Sequence, residues 1–148
     1  MSIKSLLLSI HPKYAALIFE GSKTVELRRV RPTVKKGDLI FVYASSPIKA
    51  IKGVLRVRDV TALALDDLWQ VVENSAGVTL TEFEHYFEGK DIGYGIWVEP
   101  IESYQAPISL EMIRRRWLNF RPPQSYMYLS EDKARLLHPN PTLLFARV

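Results

Sequence analysis

The chain has 148 residues, 47% hydrophobic and 24% charged, which suits one domain with a real core and argues against disorder. It holds no cysteine, so disulfides, thiolate metal sites, cysteine nucleophiles and iron–sulfur clusters are excluded, and no apolar run is long enough for a membrane-spanning helix. The net charge of +4 hides a division, with +8 in residues 1–60, −9 in residues 61–112 and +5 in residues 113–148. Basic ends around an acidic middle favour a polyanionic partner, nucleic acid first, and make 61–112 a candidate protein-docking segment. The first ten residues are too short and poorly flanked for a signal peptide, so a cytoplasmic location is expected.

In chain order, the continuous apolar stretch at 3–10 predicts a short strand buried on both faces. His11-Pro12 starts a helix with Tyr14, Leu17 and Ile18 as its apolar stripe and Gly21 as its left-handed stop. Residues 23–30 alternate with period two, Val25 and Leu27 on one face and Thr24, Glu26 and Arg28 on the other. After a turn at 34–38, residues 39–44 form the most strand-like run, a central strand broken by Ser45-Ser46-Pro47. A strand at 51–60 precedes two helical patterns, one at about 65–75 and one from Thr81, with Glu84 completing a capping box. Residues 92–98 return to strand, where Gly93 and Gly95 suggest a bulge or a close backbone approach. Ser109 caps a helix to about Leu118, and Pro122-Pro123 keeps 120–129 extended or looped. A short helix near 130–137 and a strand at 143–147 finish the chain. Five or six short strands with interspersed helices, and few β-helix-β crossovers, predict an α+β fold built as a small mixed barrel with peripheral helices.

His11, His85 and His138 are far apart and form no metal-ligand pattern, and no glycine-rich phosphate loop or nucleophile elbow occurs. The strongest constellation is Gly21-Ser-Lys23-Thr24-Val-Glu26-Leu-Arg28. Its strand projects Thr24, Glu26 and Arg28 together, and Lys23 at the strand entrance can swing into the same cleft. An acceptor, a bidentate donor and an ammonium in one place suit a base edge and its phosphate, or else form a surface salt bridge. Ser45 and Ser46 offer hydroxyls and backbone N–H groups to a phosphate or base. Arg121, Gln124 and Tyr126 offer a cation, an amide and a stacking ring on a proline-stiffened loop. Arg114, Arg115 and Arg116 read as a solvated helix face, and Trp69, Trp97 and Trp117 as core.

Residues 8–28, LSIHPKYAALIFEGSKTVELR, resemble the signature of ASCH domains, a branch of the PUA-like superfamily: a strand, a helix, then Gly-x-Lys-x-x-Glu-x-Arg. The similarity continues through LIFVYASSP at 39–47 and a strand containing Gly53, and reaches Arg121-Pro-Pro-Gln-Ser-Tyr126. The resemblance implies one PUA-like β-barrel domain over 1–148, with a helical acidic insertion at 61–91 and a C-terminal extension at 109–148 that closes the barrel. It also implies a cleft between the first helix and the barrel that binds RNA or a nucleobase, with Gly21, Lys23, Glu26 and Arg28 at the motif positions. Small bacterial relatives hydrolyse acylated cytidine with a lysine, a threonine and a distal glutamate. Lys23 matches that lysine, Glu26 stands where the threonine is expected, and Glu82, Glu84 and Glu102 are candidates for the glutamate. Other relatives are proposed as ribonucleases or transcriptional coregulator modules.

The leading expectation is therefore a protein that binds single-stranded RNA or a modified nucleobase in a basic cleft, in RNA metabolism or transcription regulation. Lys23 would meet phosphate or a base carbonyl, and Glu26 a base edge or Arg28. Arg28 and Arg121 would bind phosphate, with Gln124 and Tyr126 at the opening. One alternative is an enzyme in the same cleft, an N4-acetylcytidine amidohydrolase or a ribonuclease, with Lys23 as nucleophile or base and Glu26 as proton carrier. Another is a regulatory module that docks a protein through 61–112. No cofactor, metal or membrane partner is expected.

Overall fold

The computed structural model describes residues 2–31 and 33–139. The chain order is β1 (Ser5–Ile10), α1 (Pro12–Glu20), β2 (Val25–Arg28), β3 (Leu39–Ala44), β4 (Ala50–Ala64), α2 (Leu65–Val72), α3 (Leu80–Tyr86), β5 (Ile92–Ser109), α4 (Leu110–Arg116), β6 (Tyr126–Leu129) and α5 (Glu131–Leu136). The strands make one mixed sheet in the order β2-β5-β4-β3-β1-β6, in which β1 and β3 are parallel and the other neighbours antiparallel. The expected α+β class is what the chain adopts. The sheet is open in its backbone pairing but barrel-like, because Arg28 at the end of β2 reaches the Ser9 carbonyl on β1 and the Ser125 hydroxyl just before β6. Side chains thus bridge the seam between its two edges.

Alternation along the strands sorts apolar residues into three cores. Leu6, Leu8 and Ile10 of β1, Ile40, Val42 and Ala44 of β3, and Ile96 and Val98 of β5 enclose Ala15 and Ile18 of α1, which plugs the barrel. Leu7, Leu39, Phe41 and Tyr43 leave the opposite faces of β1 and β3 and lie under Ile113 of α4 and Ala134 of α5. Val25 and Leu27 of β2 pack beneath Leu68 and Val72 of α2 and Phe83 of α3. The unbroken apolar runs of β1 and β3 follow from burial on both faces, and a one-residue slip would exchange two cores.

The strands are not all short. β4 and β5 run 15 and 18 residues and pair along most of their length. Residues 61–64, expected at the start of a helical insertion, extend β4 instead. The capping box is Thr79 with Glu82, two residues before the expected Thr81 and Glu84. Gly93 is a close approach, since a Cβ there would come within 2.7 Å of Leu68 and Phe87. The expected strand at 143–147 lies outside the described residues. Among the described residues no helix is long and apolar enough to cross a membrane.

Candidate functional site

Helix α1 sets the site. Pro12 occupies its first turn, where no N–H is needed, and Gly21 ends it at φ 93°, with its N–H donating to the Ile18 carbonyl. The chain then doubles back, the Lys23 N–H bonding to the Leu17 carbonyl and the Thr24 N–H to the Ser75 carbonyl. This turn points Lys23 inward before β2 begins. From Val25 onward the strand alternates, so Val25 and Leu27 enter the core under α2 and α3 while Glu26 and Arg28 face Lys23.

Lys23 is 3% exposed. Its Nζ donates to the Ala76 carbonyl at 2.5 Å, lies 3.7 Å from the Glu26 carboxylate and sits 5.2 Å from the centre of the Tyr14 ring. Glu26 takes a 2.8 Å charge-assisted bond from Arg28, whose other contacts are the Ser125 hydroxyl at 3.0 Å and the Ser9 carbonyl at 3.4 Å. The Arg28 Nε–H is buried and has no hydrogen-bond partner among the described residues. Burial pushes the Lys23 ammonium below the usual lysine range; the Glu26 carboxylate opposes this and the Arg28 guanidinium adds to it. The Tyr86 hydroxyl, which donates to the Leu27 carbonyl at 3.1 Å, is pushed up by burial. These groups border a cavity of about 220 Å³ at the barrel seam, walled by α1 through His11 and Tyr14 and by the α3 region through Val78, Glu82, Phe83 and Tyr86.

The cavity therefore joins Lys23, Glu26 and Arg28, as the spacing predicts. Thr24 departs from that picture. It is exposed and borders a separate depression with Arg58, Asp59, Trp97 and Val98. The strand rule fails for Thr24 because regular pairing starts only at Val25. Ser45 closes the turn after β3, its N–H bonded to the Ile10 carbonyl, and Ser46 is exposed beside the cis Ser46–Pro47 bond. Neither lines the cavity. Arg121 and Gln124 are exposed, and Tyr126 packs against the barrel core and edge-on to Tyr128. The loop reaches the site instead through Ser125 to Arg28, and through the Pro123 carbonyl, which accepts from the Ser9 hydroxyl.

Ser9, His11, Tyr14, Tyr86 and Ser125 are the site residues that sequence reasoning misses. The first three flank the turn from β1 into α1, so the usable signal is the polar residues around Pro12. Of the three candidate glutamates, Glu82 lines the cavity, Glu84 faces a groove between α2 and α3, and Glu102 bonds His138. Arg114 and Arg116 are occupied by backbone carbonyls, and Arg115 by Glu111. Among the described residues no group of three His, Asp or Glu could hold a metal ion.

The sequence matches the ASCH domain family over residues 8–118. This chain belongs to that family. It is 28% identical over 134 residues, 90% of each protein, to an ASCH domain-containing ribonuclease of Zymomonas mobilis. The crystal structure of ASCH from Zymomonas mobilis superposes with a TM-score of 0.82 over 90% of this chain and 93% of that one, at 28% identity. A stretch making up 34% of the large ribosomal subunit protein uL22 of Ureaplasma parvum is 25% identical over 72% of this chain.

Proposed function

We propose that this ASCH domain binds single-stranded RNA, seats one nucleobase in the Lys23–Glu26–Arg28 cavity and cleaves the strand there. The observation that carries the reading is the buried Lys23 ammonium, held 3.7 Å from Glu26 in a cavity of about 220 Å³ that also contains Arg28. Lowering the pKa of an amine raises the share of neutral lysine, which can take a proton from a ribose 2′-hydroxyl. The 2′-oxygen then bonds to the adjacent phosphorus and the bond from phosphorus to the 5′-oxygen breaks. The departing oxygen takes its proton from solvent, and Glu26 carries the proton from Lys23 outward. Arg28 stabilises the charge that gathers on the phosphoryl oxygens. The relative of Zymomonas mobilis named as a ribonuclease supports RNA cleavage as the activity.

The test is incubation of the protein with end-labelled single-stranded RNA, with products read on a gel. Cleavage that disappears in Lys23→Met supports the reading, and intact RNA overturns its catalytic part. A second reading, hydrolysis of an acyl group from a free modified nucleoside, draws on the small size of the cavity. Against it, Glu26 stands where the resemblance expects threonine. Release of acetate from N4-acetylcytidine, with RNA left intact, would favour this second reading.

A further inference from the structure

Where β4 and β5 meet the residue that precedes β2 lies a depression of about 420 Å³ lined by Thr24, Arg58, Asp59, Trp97 and Val98. It begins with a fault in strand pairing. Val57 opposes Val98 and Asp59 opposes Trp97, so Arg58 is an extra residue in a β-bulge. Bulges re-aim the side chain they displace, and here the displaced side chain is an exposed guanidinium. Among the described residues the Arg58 side chain makes no ion pair or hydrogen bond. Its neighbour Asp59 turns one carboxylate oxygen back to the Val60 N–H at 2.8 Å and keeps the other available. Trp97 is half-buried against the α2–α3 core, with its ring fixed by a 2.9 Å bond from Nε1 to the Thr61 hydroxyl. The backbone N–H and carbonyl of Thr24 are bonded to Ser75 and Val98, which leaves its hydroxyl to face the depression.

A free guanidinium, a fixed indole and a carboxylate acceptor around one depression match the three parts of a ribonucleotide. Arg58 suits the phosphate, Trp97 the base face and Asp59 the 2′-hydroxyl. Lys23 and Thr24 are consecutive, with Cα atoms about 3.8 Å apart, yet they line two different cavities just before β2. One polynucleotide running past this pair of residues can reach both. We infer that the Arg58–Trp97–Thr24 depression is a second nucleotide subsite, occupied by the same single-stranded RNA more than one nucleotide along from the base that enters the Lys23 cavity. The inference rests on the RNA reading given above.

The test compares the parent with Arg58→Gln, which removes a charge without breaking an internal contact. Binding of a ribodinucleotide and of a labelled RNA octamer is measured by competition and anisotropy across a salt series. Arg58→Gln is expected to weaken the octamer by about fivefold at low salt, make its salt slope shallower by about 0.7, and leave the dinucleotide unchanged. Octamer affinity and slope equal to the parent's would overturn the subsite while leaving RNA binding standing. Equal weakening of both ligands would also overturn it, since that marks diffuse attraction. Failure of the parent to bind either RNA at low salt would overturn both the subsite and the reading beneath it. An Asp59→Asn variant adds a check, with an expected loss of preference for the RNA octamer over the same DNA sequence.

Discussion

Lys23 is buried at the expense of its own solvation, and that expense is measurable. Its pKa in the folded chain lies below the 10.5 of an ordinary lysine, mainly because of burial. At neutral pH the unfolded state therefore holds the charge more comfortably than the folded state. The penalty is relieved as pH rises from the lowered folded value towards 10.5, where the unfolded chain also loses its proton. Lys23→Met is thus expected to be more favourable for stability at pH 7 than near pH 10.5, as urea unfolding at the two values will show. A difference of the opposite sign would mean that Glu26 outweighs burial. Arg28→Lys keeps the charge but cannot span Glu26, Ser9 and Ser125 together, and is expected to lose about 1–2 kcal/mol in the same assay. The pairing of Glu26 with Arg28 is legible in the sequence because both lie on regular strand. Ser125 is not, because alternation in an extended loop favours Gln124 and Tyr126, and only the seam between strands decides which residue meets Arg28.

At the scale of elements, the short ones are legible and the long ones are not. β1, α1 and β3 carry continuous or periodic apolar patterns, whereas β4 beyond Val60 reads Thr-Ala-Leu-Ala, is only partly covered, and shows no alternation of polar and apolar residue types. Proline lacks the N–H that a strand ladder needs, yet β5 runs through Pro100 and Pro107. Both sit where the β4–β5 register shifts, Pro100 at the Val54/Leu55 irregularity and Pro107 between the pairs Gly53–Ser103 and Ile51–Ile108. Gly53 is required for close packing, since a Cβ would fall 2.2 Å from the Glu102 carbonyl and 2.7 Å from Phe19. Gly93 would meet only the side chains of Leu68 and Phe87. Gly53→Ala is therefore expected to destabilise by about 1–3 kcal/mol and more than Gly93→Ala, by thermal or urea unfolding. The Thr79–Glu82 capping box holds α3, which walls the cavity through Phe83 and Tyr86. Thr79→Ala is expected to cost about 1 kcal/mol and to weaken RNA binding with it, although Thr79 itself does not line the cavity.

For the whole molecule, the acidic segment and the basic motif meet at the cavity, which Glu82 lines together with Lys23 and Arg28. Seven acids from residues 61–91 ride on or beside α2 and α3, while Lys23, Arg28, Arg56 and Arg58 belong to the motif segment and the adjoining sheet. The composition is what favours an anionic partner in the proposed reading, and the curl of the sheet is what forms the cavity, because Arg28 joins the two edges of an otherwise open sheet where Lys23 lies. The most direct test of this account is the rate at which the protein shortens end-labelled single-stranded RNA, measured beside Lys23→Met with folding of both verified by circular dichroism. The account predicts binding and cleavage by the parent and loss of cleavage in a folded Lys23→Met. Equal cleavage by the two proteins would contradict it.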